Sequence, residues 1–266
     1  MITLTSDFGS PYPAAMKGVL CAHTDARLVD IAHDFPRQDV RTTAFWLREV
    51  FPYFPPATHL VVVDPGVGTD RAALAIRAGE HVLVGPDNGV LAPVARRLAG
   101  DAVGAPDDDA QASAGIEPFE IVVDEPESAT FHGRDVFAPA AALAHEAGAD
   151  RLAECEEFVS ADGYEDLRFP EPEVRDGDAT GEVLVVDGFG NAVTNVPGEM
   201  LDGRFGERIA VDGEHVPVAQ SYAHVAAGER LVTVGSHGNV ELAANRGRGD
   251  ETFGVGVGNP IELAFE

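Results

Sequence analysis

Over the first 150 residues, short apolar runs alternate with stretches whose apolar positions recur at helical spacing. Residues 1–5 read as a strand that ends in Ser6-Asp7-Phe8-Gly9. Met16, Val19 and Leu20 share one face of a predicted helix over 13–24, and Val40, Ala44, Trp46 and Leu47 mark a second over 39–50. A short strand is predicted at 28–32. Residues 59–64 carry four successive apolar side chains, the pattern of a strand buried on both faces. Further strands follow at 73–76, 81–84 and 119–123, with helices at about 90–98 and 137–146. Strands alternating with helices predict an α/β layer with a largely parallel sheet, here assigned to residues 1–153.

The texture changes after Gly148. Residues 154–178 are rich in Glu, Asp, Pro and Gly without apolar periodicity, and read as an acidic linker. From Gly181 onward only strand signals occur, at 182–187, 192–195, 208–211, 214–218, 230–234, 240–243 and 261–265, punctuated by Gly and Asn at hairpin spacing. Residues 179–266 therefore predict a compact all-β, barrel-like domain.

Composition narrows the function classes. The 266 residues carry 45 acidic and 18 basic side chains, a formal charge of −27, which argues against a nucleic-acid partner. No apolar run approaches the roughly 20 residues of a membrane-spanning helix. The N-terminal MITLTSDFG runs directly into a strand instead of a secretory signal. Two cysteines, Cys21 and Cys155, make neither a disulfide framework nor a zinc site, and suit a reducing cytoplasm. Lys17 is the only lysine; the remaining basic residues are arginine. A dispersed acidic shell with so little lysine points to a halophilic source, where salt screens the self-repulsion.

Polar residues cluster just after the predicted strands, where an open α/β sheet places its ligands. The clusters are Thr5-Ser6-Asp7-Phe8-Gly9 with Tyr12 and Met16-Lys17-Gly18; Asp64-Pro65-Gly66-Val67-Gly68 with Arg71; Gly85-Pro86-Asp87-Asn88-Gly89; and Phe131-His132-Gly133-Arg134-Asp135. In the β region they are Asp187-Gly188-Phe189-Gly190-Asn191 with Thr194-Asn195, and Ser236-His237-Gly238. Singly, each reads as a turn: glycine supplies positive φ and Asp or Asn bonds its own backbone. Arg134-Asp135 reads equally as a structural ion pair.

In order and spacing these motifs together resemble the S-adenosylmethionine hydroxide adenosyltransferase family, relatives of the S-adenosylmethionine-dependent halogenases. The resemblance extends through Phe-His-Gly-Arg-Asp-Val-Phe-Ala-Pro-Ala-Ala and Ser-His-Gly-Asn-Val-Glu-Leu-Ala. It implies an α/β domain joined to a β-barrel domain, and a homotrimer with sites between subunits. It also implies hydrolysis of S-adenosylmethionine to adenosine and methionine without metal or cofactor. The family's catalytic Asp-Arg-His set falls on Asp64, Arg71 and His132. Asp7 matches the ribose-binding acid, Asp187 the residue that meets the methionine ammonium, and Ser236 with His237 those that meet its carboxylate. Asn191 matches a residue on the adenosine side, with Phe189 packing nearby. Lys17, Asn88, Arg134 and Asp135 match motifs to which the resemblance assigns no role.

Three other readings compete. A halogenase would place chloride or fluoride at C5′, but the halogenating relatives have tyrosine where this chain has Asp64, and Tyr-Ser where it has His132-Gly133. A carboxylate beside the nucleophile repels a halide and favours water. A non-catalytic binder of S-adenosylmethionine or adenosine has no need of the Asp64, Arg71 and His132 set. A metal-dependent hydrolase lacks support, because no HExxH spacing or Cys/His cluster occurs among the nine histidines.

Overall fold

All of Ile2–Ser6 is buried, as expected of a strand covered on both faces. This strand, β1, lies between two parallel neighbours, β2 (Leu28–Ala32) and β3 (Thr58–Val62). The structure is a computed structural model that describes residues 1–100, 115–122, 128 and 130–265. Two compact units divide between Arg168 and Phe169.

In the first unit, β4 (Ala73–Ala78), β5 (His81–Pro86), β6 (Ile116–Ile121) and β7 (Phe158–Ser160) complete a sheet of order β2-β1-β3-β5-β4-β6-β7. Its β2-β1-β3-β5 half is parallel and its β5-β4-β6-β7 half antiparallel. The change of direction follows from the chain. Ala78 pairs with His81, so only Gly79 and Glu80 join β4 to β5, and so short a link permits only a hairpin. Gly79 takes the left-handed φ of +59° that the tight turn requires.

Among the described residues, four helices cover the sheet: α1 (Tyr12–His23), α2 (Val40–Val50), α3 (Ala92–Ala99) and α4 (Ala138–Ala147). The start of α2 is set by Asp39, whose carboxylate accepts from Thr42 N at 2.9 Å. One face of the sheet packs Ile2, Leu4, Leu60, Val62 and Val84 against Met16 and Leu20 of α1 and Ala138 and Ala141 of α4. The predicted strand at 119–123 corresponds to β6, and its last position lies outside the described residues.

The second unit holds β8 (Glu173–Arg175), β9 (Asp178–Val186), β10 (Ala192–Pro197), β11 (Arg208–Val211), β12 (Glu214–Pro217), β13 (Arg230–Val234), β14 (Asn239–Ala244) and β15 (Pro260–Ala264). The sheet runs β12-β11-β15-β9-β10-β14-β13 through antiparallel pairs, with β8 beside β9. A bridge between Val218 and Val232 brings its two ends together, so the barrel is nearly closed around Val183, Val196, Val216, Leu242 and Ile261. The β11–β12 turn is Asp212-Gly213, both at positive φ. A five-residue helix, α5 (Gly249–Phe253), interrupts what the sequence reads as strands only; it is too short to display a 3.6-residue period.

Residues 154–178, read from composition as a linker, contribute β7 to the first sheet and β8 to the second. Glu165 N donates to Asp87 Oδ1 at 2.7 Å, and the buried Arg96 binds Asp166 and the Leu167 carbonyl. These polar attachments leave no hydrophobic period in the sequence.

On the second face of the first sheet a polar chain is sealed inside. Thr3 Oγ1 lies 2.8 Å from His59 Nδ1, and His59 Nε2 lies 2.9 Å from His81 Nδ1. Phe51 stacks on the His59 ring at 4.0 Å. Burial, reinforced by His81, pushes His59 down to about 3, and burial also lowers His81. The folded protein therefore resists proton uptake that the unfolded chain accepts near pH 6.5, and loses stability as pH falls below that value. Titrating from about pH 7 to about pH 5, the stability advantage of wild type over His59→Gln should shrink by up to about 1.4 kcal/mol per pH unit. Urea unfolding at each pH measures this difference; parallel pH curves would disprove the buried neutral imidazole.

Candidate active site

The parallel strands β1 and β3 pair Ser6 with Val62, so the residues that follow them, Asp7 and Asp64, leave the sheet at the same edge. This is the carboxyl-end crevice in which α/β sheets place ligands. The side chain of Asp64 is only 8% exposed. Its Oδ1 accepts from Gly66 N at 2.9 Å and is bound by Arg71 Nη1, a short charge-assisted contact. Glycine at position 66 leaves room for this contact, because a Cβ there would overlap the Arg71 guanidinium as it stands. Asn88 Nδ2 donates to the Val63 carbonyl at 2.9 Å, fixing the backbone just before Asp64.

Asp7 is buried, and its Oδ2 accepts from Gln38 N at 2.6 Å. His132 opens a single π-type turn, Gly133–Phe137, that continues into α4. A Cβ at Gly133 would stand 3.0 Å from Met16 Sδ and 3.1 Å from Val62 Cγ1, so glycine lets this turn dock on the end of β3. The turn is braced by Arg134, which pairs with Asp135, while Asp135 Oδ2 accepts from Ser128 N at 2.9 Å. Burial raises the Asp135 carboxyl less than the Arg134 hydrogen bond lowers it, so it stays below the usual carboxylate range. Phe8, Tyr12 and Phe131 meet edge to face with centroids 5.7 to 6.2 Å apart, joining the Asp7 loop to the residue before His132.

Asp64, Arg71, His132 and Asp7 thus gather around the ends of β1 and β3. Asp64 and Arg71 are in direct contact. Among the described residues, His132 makes no hydrogen bond or ion pair with either.

The second unit brings its predicted residues together differently. Asp187 Oδ1 accepts from Phe189 N and Asn191 N, each at 2.8 Å, and Oδ2 accepts from Asn191 Nδ2 at 2.9 Å. The carboxylate therefore builds the β9–β10 turn, and Phe189 projects from its tip 82% exposed. Ser236 is exposed in the β13–β14 turn. His237 beside it is held by Glu241, with Nε2 3.1 Å from Oε1.

Two residues that the sequence reading missed connect these turns. Tyr222 Oη accepts from Asn191 Nδ2 at 3.2 Å and donates to Glu241 Oε2 at 3.1 Å. The buried Glu241 carboxylate thus bridges Tyr222 and His237. Burial, then the charge of Glu241, pushes the Tyr222 phenol up to about 12, so it remains a donor across the physiological range. Glu241 sits inside a strand pattern, and only a buried carboxylate among apolar neighbours could have marked it. Among the described residues no three His, Cys, Asp or Glu side chains form a metal-ligating group. Nor is any helix there long and apolar enough to cross a membrane.

An α/β unit that presents a pinned carboxylate–guanidinium pair at its ligand edge, joined in one chain to a β-barrel unit, defines the class. Residues 2–154 match the SAM hydroxide adenosyltransferase N-terminal domain and residues 181–262 its C-terminal domain. The chain belongs to the SAM hydroxide adenosyltransferase family. It is 39% identical to the (R)-S-adenosyl-L-methionine hydrolase of Salinispora tropica, over 98% of this chain and 97% of that one. It is likewise 39% identical to the protein of that name from Thermus thermophilus, over 97% of each chain. The crystal structure of an uncharacterized conserved protein from Thermotoga maritima superimposes with a TM-score of 0.82 at 32% identity, covering both chains fully.

The Tyr222 bridge predicts a stability cost. Tyr222→Phe removes a donor from Glu241 and an acceptor from Asn191, and should destabilise the protein by about 1–3 kcal/mol. Urea denaturation followed by circular dichroism checks this; an unchanged midpoint would show that the hydroxyl bridge contributes nothing.

Proposed function

We propose that this protein hydrolyses S-adenosyl-L-methionine to adenosine and L-methionine, by attack of an activated water or hydroxide at C5′. The observation that carries this reading is the Asp64–Arg71 pair, held by Gly66 N at the ligand edge of the sheet. Membership of the family and the names of its hydrolase relatives supply the substrate.

The sulfonium is already a good leaving group, so the barrier lies in orienting and activating a weak nucleophile. A carboxylate fixed by a guanidinium and a backbone N–H can accept a hydrogen bond from water standing behind C5′. The imidazole of His132 provides a second acceptor. The water oxygen bonds to C5′ as the C5′–S bond breaks. The bonding electrons leave on the methionine sulfur, and the water proton passes to this acceptor pair and on to solvent. Asp7 takes both ribose hydroxyls. Asp187 has three acceptor sites occupied within its own turn, and a carboxylate offers about four, leaving one for the methionine ammonium. Ser236 and His237 receive the methionine carboxylate, and Phe189 and Asn191 border the adenosine. The acting residues are divided between the two units, and the proposed homotrimer completes each site with residues of neighbouring subunits.

Purified protein incubated with S-adenosylmethionine in ¹⁸O-water should release adenosine labelled at the 5′-hydroxyl. Asp64→Ala should lower kcat by roughly 10²–10⁴-fold. Gly66→Ala, which keeps every side chain of the set but crowds the Arg71 guanidinium against Asp64, should cost up to about 10²-fold. Chromatography with mass detection measures all three. A 5′-chloro nucleoside in chloride buffer would replace water by halide as the nucleophile. Tight binding without product would leave a binding protein.

A further inference from the structure

The Met16-Lys17-Gly18 motif has no part in the proposed chemistry, yet Lys17 begins a chain of side chains that ends beside Asp7. Lys17 Nζ lies 2.6 Å from Asp30 Oδ2. Asp30 Oδ1 lies 3.0 Å from His33 Nε2, and His33 Nδ1 lies 2.7 Å from Ser6 Oγ. Burial pushes the Asp30 carboxyl up, but the hydrogen bonds from Lys17 and His33 outweigh it and hold the group below its usual value. As a carboxylate it can only accept, so His33 Nε2 carries a hydrogen and the ring orientation is set. The chain runs from side chains that are 34% and 44% exposed, Lys17 and Asp30, to a fully buried hydroxyl at the last residue of β1.

The same stretch grips the residues on either side. The His33 carbonyl accepts from Gly9 N at 2.8 Å, and Gln38 N donates to Asp7 Oδ2 at 2.6 Å. Gln38 makes that bond from a φ of +63°, a backbone state that residues with side chains rarely adopt. Ser6, Asp7 and Gly9 are therefore each tied to residues 33–38. Serine, histidine and aspartate in sequence also form the arrangement of a nucleophilic serine. Ser6 Oγ, however, is sealed in the sheet and reaches no substrate.

We infer that Lys17, Asp30 and His33 are positioning residues, which hold Asp7 in the orientation that receives the ribose hydroxyls. This rests on the role proposed for Asp7. It also separates binding from chemistry: loosening the chain weakens capture of the nucleoside and leaves turnover of bound substrate almost intact.

The test uses the intact protein and two probes, adenosine and 2′,3′-dideoxyadenosine, titrated calorimetrically into wild type and variants. His33→Ala should weaken adenosine roughly fivefold, the effect of one hydrogen bond, and leave dideoxyadenosine unchanged. KM for S-adenosylmethionine should rise by a similar factor, with kcat within about twofold. His33→Asn, which can still offer a polar atom to Ser6, should recover part of the loss. Should His33→Ala fail to fold, Lys17→Met at the exposed end carries the same comparison with a smaller loss. Equal weakening of both nucleosides in a folded variant would overturn the positioning role, because general loosening does not distinguish the hydroxyls. Wild type and Asp7→Asn binding both nucleosides alike would instead overturn the ribose role of Asp7, and the inference with it.

Discussion

Two parallel strands that end together create the constraint on which the first unit is built. With Ser6 paired to Val62, the chain cannot leave β1 and β3 without setting two acids, Asp7 and Asp64, at one edge of a buried sheet. Carboxylates drawn from water need partners, and each is met by a backbone N–H from a following loop: Gln38 for Asp7 and Gly66 for Asp64. Arg71 adds a positive charge in direct contact with Asp64. The glycines at 66 and 133 follow from the same crowding, since both admit neighbours that a Cβ would displace. The proposed binding residues and the loop-forming residues are thus the same residues, which is why each motif also reads as an ordinary turn.

The barrel unit solves a related problem with longer connections. Its acids close their own turns first, as Asp187 does, and then share hydrogen bonds through Tyr222 and Glu241 with His237. A network in which each buried polar atom has a partner is rigid, and half of one is costly. This couples the β9–β10 turn to the β13–β14 turn, although they are separated by more than forty residues of sequence.

How much of this was legible follows from what each feature leaves in the pattern. Strands β3 and β5 carry short apolar runs, Leu60–Val62 and Val82–Val84, and β1 sets Ile2 and Leu4 on one face, so all three read directly. The Asp64–Arg71 pair was legible through the motif, yet its contact with Gly66 could not be seen, because a steric requirement at Cβ has no polarity signature. The attachments of residues 154–178 were invisible for a similar reason: Asp87, Arg96 and Asp166 act through hydrogen bonds that obey no period. Glu241 and Tyr222 were missed because their partners lie 19 residues apart and belong to different elements. The antiparallel half of the sheet leaves its mark in the Gly79-Glu80 link, which is too short for a parallel crossover.

The distribution of cations completes the physical picture. Arginine, with its planar fork, holds two carboxylate oxygens at once in Arg134 with Asp135 and Arg248 with Asp250. The single lysine meets a carboxylate that also serves a histidine. One oxygen of Asp30 is already committed to His33, and a second donor directed there would compete for the acceptor that orients the imidazole. A compact ammonium satisfies the remaining oxygen and stops. In a chain carrying seventeen arginines and one lysine, that lysine thus sits on the carboxylate that orients His33 beside Ser6.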